Sequence, residues 1–77
     1  MTNPLEDIFI DVRGLCPPEP MERVLDALTA LLPGQRLRML IDREPLPLYR
    51  ILDRNAYTRQ VSQPVPGLYE IVIAARA

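Results

Sequence analysis

The chain has 77 residues, 48% apolar and 25% charged, with a net charge of −1, nine prolines and three glycines. This composition reads as one small domain held by its core: the single cysteine excludes an internal disulfide, and a pI of 5.2 provides no general field for nucleic acid. Histidine is absent, which removes Ser/His/Asp and Cys/His catalysis and imidazole metal sites, and no apolar run approaches the ~20 residues of a membrane span.

The carboxylates are scattered without calcium-loop spacing, and no glycine loop could cradle a phosphate, so neither a metal nor a cofactor is expected. A lone thiol fits a reducing compartment, and Met1 to Asp7 shows no signal-peptide pattern. The expectation is a cytoplasmic single domain over 1–77, with its ordered core at about 8–74.

Ile8, Ile10 and Val12 alternate at period two, predicting a strand that Arg13-Gly14 ends. A proline cluster follows, and then Met21, Val24, Leu25, Leu28, Leu31 and Leu32 make one stripe of an α-helix. Glu22, Arg23, Asp26 and Thr29 take the opposite side, Glu19 and Arg23 have i,i+4 spacing, and Pro33-Gly34 ends the helix. From Arg36 to Asp42 alternation returns, with Leu37, Met39 and Ile41 inward.

The segment DREPLPLY is a second turn into a helix, since proline is tolerated where the first-turn N–H has no intrahelical partner. Leu48, Ile51 and Leu52 form its stripe, and it should stop near Asn55, a residue that tolerates the left-handed conformation. Strands are predicted at Tyr57 to Val61 and Leu68 to Ala74, joined through QPVPG with Pro66-Gly67 central in a type II turn. Tyr69, Ile71 and Ile73 should face the core.

The order β-α-β-α-β-β predicts an α+β, two-layer sandwich with two helices on one face of a four-stranded mixed sheet. The first two strands should be parallel across a right-handed crossover, and the last two antiparallel. Phe9, Leu40 and Val72 fall on the face the helices leave open. They are either separate surface residues or a weak homodimer or partner surface.

The stretch DVRGLCPPEPM, Asp11 to Met21, resembles the TusA/SirA-like family of small bacterial sulfur carriers. Their pattern is a strand, then G-x-x-C-P-x-P, then an amphipathic helix, in a β-α-β-α-β-β sandwich. A closer resemblance is to a relative, the domain of unknown function 2249, through Asp11 to Met21 and the later Glu44-Pro45-Leu46-Pro47-Leu48-Tyr49. Counted from Gly14, the position of the carriers' persulfide-bearing cysteine is Pro17, and Cys16 sits one residue early. A one-residue shift in extended chain turns a side chain by roughly a third to half a turn. Pro17 and Pro18 also restrict the backbone before them.

Two functional readings follow. In the first, the domain is a non-catalytic module that binds a partner protein or small ligand through the proline-rich start of its first helix. In the second, Cys16 relays a persulfide, which needs only an accessible thiolate and a docking surface. The alternative for Cys16 is a half-buried bystander; its nearby charges are Arg13 and Glu19.

The candidate binding residues are Asp11, Arg13, Gly14, Pro17, Pro18, Glu19, Pro20, Arg43 and Glu44. Asp11 and Arg13 either pair with each other or contact a ligand. Arg13, Arg43 and Glu44 would line one shallow polar site if the loops after the first two strands share a sheet end. Pro18 and Pro20 double as helix-start devices, and Tyr49 and Tyr57 as residues at the core edge. The implied partner is a protein, possible classes being a sulfur-relay or redox protein. Nucleic acid and membrane are not expected: the balance is acidic and aromatics are sparse.

Overall fold

The computed structural model describes residues 5–75, so the two ends of the expected 1–77 domain lie outside the described residues. In chain order the elements are β1 (Ile8–Asp11), α1 (Glu19–Thr29), β2 (Arg36–Ile41), α2 (Leu46–Arg54), β3 (Tyr57–Val65) and β4 (Leu68–Ala75). The strands form one mixed sheet in the order β1-β2-β4-β3. β1 and β2 are parallel, while β4 pairs antiparallel with both β2 and β3.

Alternation places Leu37, Met39 and Ile41 of β2 and Ile71 and Ile73 of β4 on one side of the sheet, where they are buried. Val24 and Leu28 of α1 and Leu48 and Leu52 of α2 complete that core. Each such side chain contributes about 1.5–3 kcal/mol on burial, which is what an undisulfided domain of this size depends on. The α+β sandwich with both helices over one face is the architecture expected from the periodicity.

The ends of α1 and β3 differ from the sequence expectation, and that of α2 is made by a different device. α1 stops at Thr29, short of Pro33, because Leu32 precedes a proline and is disfavoured in helical geometry. The last turn tightens instead, with the Ala30 and Leu31 N–H groups donating to the carbonyls of Ala27 and Leu28. Leu31 still packs against the core, but Leu32 leaves the stripe and is 54% exposed.

α2 does end at Asn55, but not by the expected device. The Asn55 side chain donates to the Ile51 carbonyl at 2.8 Å, and Ala56 takes the positive φ of 60°. β3 runs four residues past Val61, through Pro64 to Val65. An edge strand tolerates proline, and the pairing shifts register between Ser62 and Val65 to accommodate it. Only Pro66-Gly67 remains as the turn, with Gly67 at φ +81°, as the third position of a type II turn requires.

On the open face Phe9 stands opposite Arg38, and Arg38 opposite Val72. Leu40 lies one row away, between Asp11 and Glu70. Arg38 thus stands between Phe9 and Val72 in the sheet, and its guanidinium reaches Asp7 at 3.6 Å beside the Arg36–Asp7 pair at 3.1 Å. Phe9 is 56% exposed, whereas Leu40 and Val72 are half-buried.

Candidate functional site

Because β1 and β2 are parallel, the loops that follow them leave the sheet at the same end. They are tied there: the Gly14 N–H donates to Asp42 Oδ2 at 2.9 Å. Gly14 holds φ +77°, a conformation that side-chain-bearing residues rarely adopt. Beyond Gly14, the Glu19 N–H donates to the Cys16 carbonyl at 2.9 Å across a cis Pro17–Pro18 peptide, and α1 begins. α2 begins in a similar way, with Pro45 at its cap and the Leu48 N–H on the Pro45 carbonyl at 3.0 Å.

The two helix starts flank a cavity of about 230 Å³ that opens to solvent. Its lining joins core side chains, Val24, Met39, Ile41 and Leu48, to Pro17, Pro18 and Pro20 from one lead-in and Pro45 and Pro47 from the other. Proline suits such a wall: it presents apolar surface, carries no N–H to be left unpaired, and holds its φ without a ligand. Asp42, Arg43 and Glu44 border the cavity at its mouth and are exposed to solvent, so its lining stays almost wholly apolar.

Each charged group there has a different status. Asp42 accepts the Gly14 N–H. Glu44 Oε2 accepts the Tyr49 hydroxyl at 3.2 Å. Burial first, and that hydrogen bond second, push the Tyr49 phenol up to about 12. The Arg59 guanidinium lies 4.3 Å from the Tyr49 ring centroid and donates to Asp53 Oδ1 at 2.7 Å. Arg43 has no hydrogen bond or ion pair among the described residues.

Asp11 and Arg13 are occupied with each other. Arg13 Nε and Nη2 donate to the two carboxylate oxygens at 2.9 and 2.7 Å, and the Arg13 N–H adds a third bond at 3.1 Å. The guanidinium and the backbone N–H of Arg13 hold the Asp11 carboxyl down at about 2, and the carboxylate raises Arg13 in turn.

Cys16 is exposed, not half-buried, and lines a separate shallow depression with Pro18, Glu19, Glu22, Arg23, Leu25 and Asp26. Glu19 pairs there with Arg23 at 3.4 Å. No donor is hydrogen-bonded to the Cys16 sulfur among the described residues.

Of the candidate residues, then, Pro17, Pro18, Pro20, Arg43 and Glu44 come together at the cavity. Asp11, Arg13, Gly14, Cys16 and Glu19 do not line it. The expected polar site of Arg13, Arg43 and Glu44 is corrected on two points: Arg13 is folded onto Asp11, and the cavity is mainly apolar. Asp42, Met21, Met39 and Leu48 were missed as site residues. The available signal was the pairing of PPEP with EPLP, two proline-rich helix starts after two parallel strands.

The fold is similar to the crystal structure of a SirA-like protein from Desulfitobacterium hafniense, with a TM-score of 0.78 at 26% identity over 91% of this chain and 99% of that one. No curated protein matches the chain. The conserved, uncharacterised protein family DUF2249 matches residues 9–75, and the chain belongs to that family.

Proposed function

We propose that this domain is a non-catalytic binding module that receives an apolar group of a small ligand or partner protein between its two proline-rich helix starts. One observation carries the reading. Pro17, at the position where sulfur carriers hold their cysteine, lines the cavity, while the thiol of this chain lies in a different depression. Proline at that position offers apolar surface and no sulfur to transfer, and small-molecule sites are commonly preformed and apolar with few polar groups. The experiment is a methyl-resonance titration of the full chain with benzyl alcohol. Saturable shifts confined to the methyl groups lining the cavity, those of Leu15, Met21, Val24, Met39, Ile41 and Leu48, support the module; shifts elsewhere only, or none, overturn it.

A second reading, sulfur relay, is favoured by the exposure of Cys16. Its thiolate would take the terminal sulfur of a donor persulfide, whose own cysteine leaves as a thiolate. Incubation with a cysteine desulfurase and cysteine separates the two. A gain of one sulfur in the wild type, lost in Cys16→Ser, supports relay, and an unchanged intact mass supports the binding module alone.

A further inference from the structure

We infer that the sheet face left open by the helices is where two copies of this chain meet, with Arg38 of each copy against the partner's Glu70. The cavity lies on the helix-covered side of the sheet, so the inference is independent of the binding module and leaves both cavities accessible.

The first observation is apolar surface without cover. Two neighbouring rows cross the open face, Phe9–Arg38–Val72–Gln60 and Asp11–Leu40–Glu70–Ser62. Phe9 is 56% exposed, and Leu40 and Val72, on the two central strands, are half-buried. A sheet face that stays in water normally presents polar residues at its outward positions. Here Phe9, Leu40 and Val72 hold outward positions next to one another.

The second observation is charge. Arg36 and Arg38 share the one carboxylate of Asp7, at 3.1 and 3.6 Å, which leaves a positive charge over at that end of the face. Asp11 is matched by Arg13. The Glu70 carboxylate has no hydrogen bond or ion pair among the described residues, which leaves a negative charge over at the other end. Opposite charges on either side of an apolar patch make the face complementary to itself.

Symmetry then fixes the arrangement. A two-fold axis lying across the strands, between the two rows, sets the Arg38 row of one copy over the Leu40–Glu70 row of the other. Both Arg38 side chains then meet a leftover carboxylate, and the apolar residues close on each other. An axis lying along the strands would place like charge on like, which costs affinity.

These two rows are far fewer than the roughly 20–30 residues a side of a stable interface, so the association is weak and is followed by sedimentation velocity of the full chain up to about 1 mM. The sedimentation coefficient of the wild type should rise with concentration. Arg38→Glu and Glu70→Arg each exchange two exposed ion pairs for two like-charge contacts, and each should weaken association by roughly tenfold. An equimolar mixture of the two variants restores opposite charges across the axis and should recover association, which a folding defect in either variant could not do. A wild type that stays monomeric overturns the inference and leaves the face to a different protein. Association that neither variant weakens, or that the mixture fails to recover, also overturns it and moves the contact to another surface.

Discussion

Asp42 and Gly14 lie 28 residues apart, and the Asp42 carboxylate accepts the Gly14 N–H at 2.9 Å. This bond joins the loops after β1 and β2, which lead into the two proline-rich helix starts beside the cavity. Asp42→Ala should lower stability by about 1 kcal/mol in urea unfolding and shift the methyl resonances of Met39 and Leu48. Asp42→Asn retains an accepting oxygen and should keep most of both. Identical behaviour of the two variants would show that the bond does not form in solution.

The Asp11–Arg13 pair gives stability a defined pH dependence. The Asp11 carboxyl falls from its ordinary 3.8 to about 2 on folding, so the unfolded chain takes up this proton first as the solution is acidified. The contribution is complete above about pH 5 and fades as the pH falls through about 2. The difference in urea midpoint between wild type and Asp11→Asn should therefore be constant near neutrality and shrink below about pH 4. Arg13→Gln should return the Asp11 carboxyl titration, followed by carbon NMR, towards 3.8.

Tyr49 titrates at about 12, with burial the larger cause and the Glu44 hydrogen bond the next. Glu44→Ala should move its ultraviolet titration down towards, but not to, the ordinary 10, because burial remains. Tyr49→Phe identifies the transition among the three tyrosines. A transition unmoved by Glu44→Ala would remove the hydrogen bond as a cause.

Ala56 holds φ 60° after the end of α2, where a β-carbon costs roughly 1–2 kcal/mol. Ala56→Gly should raise stability by about 0.5–1 kcal/mol in denaturant unfolding, since glycine relieves the strain but adds chain entropy. Ala56→Val should lower it. A loss with glycine would contradict the left-handed conformation.

Leu48 belongs both to the core and to the cavity lining, and is 1% exposed. Leu48→Ala should cost about 2–5 kcal/mol. Cys16→Ser, at an exposed position whose sulfur has no hydrogen bond among the described residues, should stay within about 0.5 kcal/mol. The same unfolding series measures both.

Much of the fold is legible in the sequence because its signals are local. Period-two alternation in Ile8–Val12 and Leu37–Ile41, and the helical spacing of Met21 to Leu28, name their own buried faces, and a strand-helix-strand run has one favoured handedness. Of the boundaries that moved, the end of α1 follows from the local effect of Pro33 on Leu32, whereas the end of β3 is one where a neighbour overrides local pattern. β3 continues through Pro64 because β4 is there to pair with it, and Arg59 sits on the helix-covered side because Asp53 and Tyr49 of α2 satisfy its charge.

The element order, the inward faces and the displacement of Cys16 by one position are properties of the chain read residue by residue. The cavity is not, because its walls come from two segments that meet only when β1 and β2 lie side by side. Which charges are paired is equally a matter of three-dimensional distance: Arg13 closes on Asp11 while Arg43 meets no carboxylate among the described residues, though both follow an aspartate closely in sequence.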